Sequence, residues 1–466
     1  MNSHANTMDI ATIFVKFIFL SIFLLLSILP LSVHAVDYIL IDVGTLGGSG
    51  STGLAINDSR RVTGDSLITG DTRLHAYVWD AVNGIQDLDA SSEYFRSKGK
   101  GINNSSQVAG DIYFYTGGQH GFAWDVTNGI QDIGTLGGHY SEGNGINNNG
   151  QVTGYSNNAN DVYHAFIWDA VNGMQDIGTL GTWSRGFAIN DNGQITGNSA
   201  LTTGETHAFI WDAVTGMQDI GHLGGGSSSG QAINSKGQVT GSSSIPGGLV
   251  RAFLWDPVDG MRDLGTLGGI NSFGRGINSS GTVVGNSYST VPGGTDAFIW
   301  DPINGMQNLC ELTNCTSRGW DRLSAASGIN ENGDIVGSGI LSDGSGHAFV
   351  ALVIPTIDIW PNKDVNYINM KSNGIVQVAI LSTESFYAFN DVNVESIRFG
   401  ANEAVPISYK VIDVNNDRIS DLRFSFALRE TGIVCGDINA TLIGEFYNEI
   451  PFLSSDSIVT KNCNGQ

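Results

Sequence analysis

Charged residues are scarce in this chain of 466 residues, and basic residues are the scarcer kind. Lysine and arginine together number 22, against 45 aspartates and glutamates, so the formal net charge is -23. Nucleic acids and anionic membrane surfaces are bound through clustered Lys and Arg, so this balance argues against both as partners. It suits a soluble secreted protein, or one that binds neutral or cationic ligands or divalent cations.

Long apolar runs are absent except near the N-terminus. Lys16 precedes an apolar run from Phe17 to Leu29, which is short for a membrane span. The small residues at 33 and 35 resemble a cleavage site, so we predict a signal peptide over residues 1–35. An uncleaved anchor is the alternative. We expect a mature protein that has no stable membrane span and is secreted, periplasmic or at the cell surface.

Only four cysteines occur, an even number that fits an oxidising compartment. Cys310 and Cys315 are close in sequence, while Cys435 and Cys463 both lie in the C-terminal region. Three pairings are possible, and we prefer the two local disulfides. No Cys-x-x-Cys is present, so we do not expect a metal site built from cysteine.

Common catalytic motifs are missing as well. The chain has no Gly-x-Ser-x-Gly, no His-Glu-x-x-His and no Walker sequence. The segment from Gly48 to Gly53 satisfies Gly-x-Gly-x-x-Gly, but no helical pattern follows it. We interpret it as a loop of a repeated unit and not as a nucleotide site.

What the chain does have is a long internal repeat, seen clearly over residues 145–181. An Ile-Asn pair marks seven copies at a spacing of about 44 residues. The pairs begin at Ile56, Ile102, Ile146, Ile189, Ile233, Ile277 and Ile329. A Trp-Asp pair marks six of the same copies, and the seventh copy has lost its Trp.

Each copy is predicted to form four short strands. Gly150 and Gly173 follow Asn in tight turns, where glycine suits the positive φ of a hairpin. Four strands per copy of this length are typical of a propeller blade. We therefore predict an all-β fold, with a seven-bladed β-propeller over residues 36–355.

The two ends of the repeat region are complementary. The seventh copy stops after its third strand near Ile354, and the segment from Tyr38 to Gly48 matches the missing fourth strand. Pairing this N-terminal strand into the last blade would close the ring and remove exposed edges. A right-angled β-solenoid is the alternative, but it predicts a shorter period and no such matching ends.

The repeat resembles the HAF-repeat family of extracellular repeat proteins from secreted bacterial sequences. The resemblance rests on His164 to Asp169, on Gly173 to Gly181 and on Gly145 to Val152. It implies secretion and a repeated architecture, and it implies no particular activity.

The composition changes near Pro355, and residues 356–466 carry more charge and alternating strands. We predict a small β-sandwich there. The stretch from Ile357 to Leu381, with Arg398 to Gly400 after it, resembles an accessory module at the ends of secreted bacterial and archaeal proteins. That resemblance implies an accessory role and not a catalytic one.

A candidate calcium loop lies in this region. Oxygen-bearing side chains at positions one, three, five and nine, with a carbonyl at seven, are typical of a hard-cation site. The predicted ligands are Asp413, Asn415, Asp417, Ile419 and Asp421. The spacing resembles the calcium loops of integrin-type propellers, but Arg418 replaces the usual Gly and Phe424 stands where an EF-hand has Glu. A solvated acidic turn is the alternative.

Histidine opens the third strand in five copies, at His75, His120, His164, His207 and His347. Arg251 and Asp296 hold the same position in the other two copies. A position that tolerates Arg and Asp is better explained by a structural bond to a loop carbonyl or carboxylate than by metal ligation.

Binding is expected on the face that carries the variable loops, since varied loops on a rigid scaffold are where ligands usually bind. The candidate ligand-binding residues are Tyr113, Phe114, Tyr115, Tyr140 and Trp183. Aromatic planes among neutral polar loops suit sugars. Trp183 and Trp320 both break the repeat and are predicted to be exposed.

We therefore predict a non-enzymatic secreted binding or structural protein that recognises surface glycans. A carbohydrate-active hydrolase or lyase is one alternative, using charged residues that break the repeat on the same face. Those residues are Glu142, Asp161, Arg185, Glu205, Arg275 and Glu311. Clustering of Glu142, Asp161, Glu205 and Arg185 in one pocket would favour the enzyme. An extracellular scaffold that binds another protein is the second alternative.

Overall fold

The computed structural model describes residues 38–90, 94–290, 294–383, 386–447 and 449–463. The predicted signal peptide, residues 1–35, lies outside these ranges. Strands dominate the described chain, which confirms the all-β prediction. Within the same ranges, none of the helices is both long and apolar enough to cross a membrane.

After the first strand, β1 (Tyr38–Gly44), the chain forms repeated sets of four antiparallel strands. The strands of each set follow one another in chain order. The first three sets are β2 (Gly47–Ile56), β3 (Val62–Ile68), β4 (Leu74–Asp80) and β5 (Gly84–Asp87); β6 (Arg96–Ile102), β7 (Val108–Tyr113), β8 (Gln119–Asp125) and β9 (Gly129–Asp132); and β10 (Gly137–Ile146), β11 (Val152–Asn158), β12 (Tyr163–Asp169) and β13 (Gly173–Asp176).

The next three sets repeat this arrangement. They are β14 (Ser184–Ile189), β15 (Ile195–Ala200), β16 (Thr206–Asp212) and β17 (Gly216–Asp219); β18 (Ser228–Ile233), β19 (Val239–Ser244), β20 (Val250–Asp256) and β21 (Gly260–Asp263); and β22 (Gly268–Ile277), β23 (Val283–Ser289), β24 (Thr295–Asp301) and β25 (Gly305–Asn308).

The last set is composite. A short helix α1 (Leu309–Thr313) and a 3-10 helix (Cys315–Arg318) lead into β26 (Trp320–Ile329), β27 (Ile335–Leu341) and β28 (Gly346–Val353). The fourth strand of this set is β1, which pairs with β28 so that Tyr38 lies opposite Val353. The N-terminal strand thus pairs with the third strand of the last repeat, as the matching ends of the sequence predict.

The hairpin between the first two strands of a set is organised by the repeated asparagine. In the third set, the Asn147 side-chain oxygen accepts hydrogen bonds from the backbone N–H groups of Asn149 (3.1 Å) and Gln151 (2.9 Å). Gly150 closes the turn with a φ of 75°, a left-handed conformation that glycine adopts without steric cost. The predicted Asn-Gly turns are therefore present.

The same asparagines connect neighbouring sets. Each side-chain N–H donates to the backbone oxygen of the asparagine in the next set, over 2.9–3.4 Å. The series runs Asn57, Asn103, Asn147, Asn190, Asn234, Asn278 and Asn330, and Asn330 donates to the oxygen of Asn57. All of these asparagines are buried. Each bond in the series therefore replaces the hydrogen bonds to water that the side-chain N–H and the backbone oxygen lose on folding.

The core of the repeat region lies between neighbouring sets. Phe166 of the third set is fully buried against Ala109 of the second set and Val152 of its own. Burial of one such side chain contributes about 1.5–3 kcal/mol. The equivalent position in each of the other sets also holds a fully buried aromatic residue: Tyr77, Phe122, Phe209, Phe253, Phe298 and Phe349.

The strand-opening histidines bind carboxylates within their own sets. His164 Nδ1 lies 2.7 Å from Asp176 Oδ2, and His207 Nδ1 lies 2.8 Å from Asp219 Oδ2. His75, His120 and His347 form the corresponding contacts with Asp87, Asp132 and Asp42. These contacts confirm the predicted structural role of the histidines.

Both predicted disulfides are present. Cys310 and Cys315 join α1 to the following 3-10 helix, with their Cα atoms 4.9 Å apart. Cys435 and Cys463 join two segments of the C-terminal region, with Cα atoms 5.8 Å apart. The described chain holds no free cysteine.

The C-terminal region contains β29 (Ile357–Ile359), β30 (Tyr367–Asn369), β31 (Ile375–Ile380), α2 (Ala388–Asp391), β32 (Val392–Phe399), β33 (Ser408–Ile412), β34 (Asp421–Ala427), a 3-10 helix (Leu428–Glu430), β35 (Asn439–Phe446), β36 (Pro451–Ser457) and β37 (Val459–Lys461). These strands form three further sheets, with strand orders β29-β31-β34-β33, β32-β35-β36 and β30-β37. Their buried side chains form one cluster with residues of the first and last repeat sets, such as Trp79 and Val350.

Candidate functional site

At one pair of cross-strand positions the residue types differ from set to set, although the neighbouring residues are repeated. The pair lies between the first two strands, directly before a Gly-Gly pair such as Gly143 and Gly154. A Cβ at Gly154 would clash with the carbonyl oxygen of Glu142, so the backbone there is held close. The variable pairs are Thr52–Asp65, Lys98–Asp111, Glu142–Tyr155, Arg185–Asn198, Ser229–Ser242 and Phe273–Asn286.

Lys100 joins two of these positions across neighbouring sets. Its Nζ lies 2.5 Å from Asp111 Oδ2 and 2.8 Å from Glu142 Oε2. A third bond goes to the side-chain oxygen of Asn144 over 3.1 Å. An ammonium group has three N–H donors, so all of the donors of Lys100 are in use. Lys100 therefore holds two carboxylates from adjacent sets close together.

The two carboxylates have opposite pKa shifts. Burial raises the pKa of Asp111 to about 7, and Lys100 only partly offsets this. Burial also acts on Glu142, but Lys100 and the hydroxyls of Tyr140 and Tyr155 hold the pKa of Glu142 below its usual value. Near neutral pH, Glu142 is ionised while Asp111 takes up a proton readily. Carboxylates with separated pKa values can divide acid and base roles between them.

Two tyrosines, Tyr140 and Tyr155, contact Glu142, and a third, Tyr163, packs against both of them. Tyr140 donates its hydroxyl to Glu142. The rings of Tyr140, Tyr155 and Tyr163 meet one another with centroids 5.5–5.9 Å apart. These distances are normal for paired aromatic side chains. Because Tyr140 and Tyr155 lie on neighbouring strands, the repeated hairpin itself brings them together.

Arg185 extends this group into the fourth set. Its guanidinium carbon lies 4.9 Å from the ring centroid of Tyr155, 5.3 Å from that of Tyr163 and 5.4 Å from that of Trp183. Such contacts contribute about 0.5–2 kcal/mol each, depending on how far they exclude water. We refer to Lys100, Asp111, Tyr140, Glu142, Tyr155, Tyr163, Trp183 and Arg185 as the tyrosine–arginine cluster.

Two of the predicted ligand-binding residues, Tyr140 and Trp183, belong to this cluster. Tyr113 lies at its border. Burial and the charge of Asp111 raise the pKa of Tyr113, and the guanidinium carbon of Arg96 lies 5.3 Å from its ring centroid. Tyr113 and Tyr140 thus lie beside the two carboxylates, Tyr113 near Asp111 and Tyr140 at Glu142, whereas Trp183 contacts Arg185.

Phe114 and Tyr115 belong to a different aromatic group in the second set. Phe114 packs edge-on against Tyr94, at 5.8 Å, and His120, at 5.1 Å. Tyr115 is 61% exposed and meets Phe95 at 5.9 Å. The sequence therefore places five aromatic residues on one surface, but the fold divides them between two groups.

The charged residues that break the repeat are also divided. Glu142 and Arg185 both lie in the tyrosine–arginine cluster, whereas Asp161 accepts a hydrogen bond from Asn157 in a turn, over 2.6 Å. Glu205 lies in another turn, beside Thr203. Of these four residues, only Glu142 and Arg185 share a neighbour, Tyr155.

Arg275 and Glu311 lie outside the cluster as well. Arg275 donates to the side-chain oxygen of Asn286 over 3.1 Å, and Glu311 is part of α1. Trp320 was predicted to be exposed, and this prediction is wrong. Its side chain is 3% exposed because it packs edge-on against the buried ring of Phe349.

A cavity of about 570 Å³ adjoins the cluster on the side of the first and last sets. Thr52, Asp65, Arg96 and Lys98 contribute polar groups to its lining. Lys98 lies two residues from Lys100 on the same strand, β6, and its Nζ is 3.8 Å from Asp65 Oδ2. The cavity and the tyrosine–arginine cluster thus share one first strand, β6.

The candidate calcium loop is closed by hydrogen bonds to its own backbone. Asp413 accepts from the N–H groups of Asn416 and Arg418, and Asp417 accepts from Ile419. Asp421 is buried, and its two oxygens accept from Ser382 and Val414. Among the described residues, no group of three or more His, Cys, Asp or Glu side chains is arranged around a common point. The calcium site stays a prediction.

Sequence reasoning missed Lys100, Asp111, Tyr155 and Tyr163 as members of a site. Tyr155 follows the repeated Val-x-Gly, where the other copies hold Asp, Asn or Ser. Tyr163 precedes His-Ala-Phe, where other copies hold residues as different as Gln119 and Val250. Variation at one fixed position of an otherwise constant repeat was the available signal.

No protein-family model matches this chain, and no curated protein does. Solved structures with which it shares limited similarity include TolB from Acinetobacter baumannii, with 12% identity over 60% of this chain and 76% of that one, at a TM-score of 0.38. A gluconolactonase from Xanthomonas campestris matches with 10% identity over 57% and 92%, at 0.34. The six-bladed lectin of Aleuria aurantia matches with 13% identity over 54% and 89%, at 0.31. Similarity at this level carries no functional argument.

Proposed function

We propose that this protein is a secreted, non-enzymatic β-propeller that binds surface glycans through the tyrosine–arginine cluster. The observation that carries the proposal is the grouping of three tyrosines and Trp183 around charged side chains on adjacent first strands. In this proposal the propeller has seven blades, one for each repeat set. The C-terminal region is a β-sandwich that accompanies it.

The series of buried asparagines supports the propeller. Each asparagine binds the next set, and the series returns from Asn330 to Asn57. The pairing of β1 with β28 supports closure by the N-terminal strand, which leaves the last set without an exposed edge. In a propeller of this kind the first strands surround the axis. The tyrosine–arginine cluster would then lie at the axial end of three neighbouring blades.

The chemistry of the cluster supports a sugar ligand. The apolar faces of sugar rings pack on aromatic planes, and their hydroxyl groups need both donors and acceptors. Trp183 and the tyrosines supply planes, Arg185 supplies donors, and Glu142 supplies acceptors. The resemblance of the repeat to secreted proteins and the two disulfides support an extracellular location.

A glycan array probed with the mature protein tests this proposal. We expect specific binding that falls at least about tenfold in Tyr163→Ala and in Trp183→Ala, because each change removes one aromatic plane. Tyr288→Ala is the matched control, since Tyr288 is an exposed tyrosine of the sixth set outside the cluster. Absence of glycan binding would overturn the proposal and favour a protein partner for the same face.

Glycan cleavage is a second candidate function, and one observation favours it. Lys100 brings Asp111 and Glu142 together, and their pKa values are shifted in opposite directions. A hydrolase or lyase needs such a division between an acid and a base. Incubation with each bound glycan, followed by assays for new reducing ends and unsaturated sugar ends, separates enzyme from binder. Asp111→Asn would abolish cleavage but leave binding if the enzyme is correct.

A further inference from the structure

The Arg185 guanidinium has a buried N–H donor, at Nε, that lacks a hydrogen-bond acceptor among the described residues. Three aromatic rings enclose it, and its Nε is buried. Within the described part of the chain, this Nε has no hydrogen-bond partner. Aromatic faces stabilise the positive charge but do not satisfy the five N–H donors. A buried donor without an acceptor is costly, so the arrangement favours an acceptor that arrives with a ligand.

The distribution of charge around Arg185 is the reverse of that in the whole chain. The first strands of the repeat sets contain six basic residues: Arg96, Lys98, Lys100, Arg185, Arg275 and Arg322. The same strands contain two acidic residues, Glu142 and Asp321. The whole chain has 22 basic and 45 acidic residues. Basic groups collected on adjoining strands of an acidic protein attract anions to that place.

Carboxylates on the second strands neutralise only part of this charge. Asp65 and Asp111 lie beside Lys98 and Lys100. Arg185 has an amide, Asn198, as its cross-strand partner instead of a carboxylate. Arg185 therefore has no carboxylate as its cross-strand neighbour, and it lies next to the aromatic planes that would hold a sugar ring.

We infer that the glycan carries carboxylate groups and that Arg185 binds one of them. This inference rests on the proposed function and names the ligand class for the same site. A carboxylate is planar and accepts two parallel N–H bonds from a guanidinium, whereas a lysine at this position would offer a point charge. Glu142 contacts Tyr155, on which Arg185 packs, so a singly charged carboxylate meets less repulsion there than a doubly charged phosphate. Uronic acid residues of a polysaccharide have the required chemistry.

Matched polymers test the inference. Polygalacturonate and alginate are compared with the same polymers after reduction of their carboxyl groups to neutral alcohols, by titration calorimetry against the mature protein. We expect at least one carboxylated polymer to bind about tenfold or more tightly than its reduced form, because charge-assisted hydrogen bonds are lost on reduction. A sulfated galactan is included as an anion without carboxylates, and we expect it to bind no better than the reduced polymers.

Variants then assign the preference to Arg185. Arg185→Gln should bind the carboxylated and reduced forms equally, whereas Arg185→Lys should keep part of the preference. Arg275→Gln is the matched control, since Arg275 is an exposed basic residue on the first strand of the sixth set. If Arg185→Gln fails to fold, the matched polymers and Arg185→Lys still decide the question.

The outcomes separate this inference from the proposed function. Equal binding of carboxylated and reduced polymers, or binding of neutral glycans alone, overturns the inference that the ligand carries carboxylates. The protein would still be a glycan-binding protein. Equal loss of the preference in Arg275→Gln overturns the role of Arg185. Tight binding of the sulfated galactan shows a general anion site and also overturns the inference. Failure of every glycan to bind overturns the proposed function itself.

Discussion

The hairpins of the middle repeat sets and that of the first set differ in one informative way. Gly150 adopts a φ of 75° in the third set, but the first set holds Arg60 at the same place with a φ of 62°. A left-handed conformation costs a non-glycine residue about 1–2 kcal/mol. The second set carries the same local cost at Ser106, which has a φ of 62°. For Arg60, contacts with the last set and the C-terminal region offset this cost.

Arg60 connects the first set, the last set and the C-terminal region. Its Nε lies 2.9 Å from Asp334 Oδ2, and the two side chains are only 4% and 0% exposed. Its guanidinium carbon lies 4.0 Å from the ring centroid of Phe446, which belongs to the C-terminal sheets. In the second to fifth sets the position of Asp334 is occupied by glutamine, as in Gln151. Arg60 and Asp334 thus depart from the common turn residues at the place where the first and last sets meet the C-terminal region.

We expect the largest loss of stability from Arg60→Met. Asp334 would be left buried without its partner, which costs about 3–5 kcal/mol. Thermal unfolding would show a fall in Tm for Arg60→Met and a partial recovery in Arg60→Met/Asp334→Asn. Arg61→Met is the control, because the side chain of Arg61 is 43% exposed and lies 3.7 Å from Asp80. An equal fall in Tm for Arg60→Met and Arg61→Met would show that the buried ion pair stabilises the protein no more than the exposed one.

The two disulfides offer a comparison of the two regions. Cys435 and Cys463 are separated by 28 residues and Cys310 and Cys315 by 5. Loop-closure entropy gives about 3–4 kcal/mol for the first bridge and about 2 kcal/mol for the second. Serine pairs at each bridge, followed by urea unfolding, measure the difference. A larger loss at Cys310 and Cys315 would contradict the entropic argument.

Asn147→Ala should destabilise the middle repeats by about 1–3 kcal/mol, because it leaves buried backbone groups without partners. Asn147 donates to the backbone oxygen of Asn190 and accepts from two N–H groups of its own hairpin. Asn149→Ala is the control, since Asn149 is exposed and its side chain makes one outward bond, to Asp191. Similar urea midpoints for both variants would contradict a structural role for the buried series.

Much of this architecture could be predicted because the same pattern of turns and strands recurs in every copy of the repeat. Asn-Gly turns fix the hairpins, and a constant order of turn and strand fixes which strands pair. The pairing of β1 with β28 was predictable because Tyr38 to Gly48 copies a fourth strand. The packing of the C-terminal region on Arg60 was not predictable, because it joins residues far apart in the chain that have no shared pattern.

The candidate site was harder to predict for a related reason. Tyr140 and Trp183 were recognised as unusual aromatic residues, but Lys100 and Tyr155 were not. Their importance arises from contacts between neighbouring sets, such as the bond from Lys100 to Glu142. A repeat reveals which positions vary. Only the fold reveals which of the variable positions meet.

The pH dependence of stability should distinguish the cluster from the rest of the repeat region. The pKa of Asp111 is raised from 3.8 to about 7, so its stabilising contribution is fully present below pH 3.8 and is lost as pH rises to about 7. Between these values stability should fall by on the order of 1 kcal/mol per pH unit through this group. Asp111→Asn should flatten the Tm profile from pH 5 to 7. An unchanged slope in that variant would remove Asp111 as its source.

The smallest expected effect concerns the C-terminal region alone. If Asp413, Asp417 and Asp421 hold calcium, the ion at tenfold above its Kd would stabilise the protein by about 1.4 kcal/mol. Calorimetry with calcium and with chelator should show a Tm that is higher by a few degrees with the ion. Asp413→Asn/Asp417→Asn removes two carboxylates of the loop and should abolish that difference, whereas Asp437→Asn should leave it unchanged. Because Asp421 already accepts from two buried N–H groups, the loop can form without the ion, and weak binding is the expected result. An equal Tm in calcium and chelator would leave the loop as an acidic turn closed by its own hydrogen bonds.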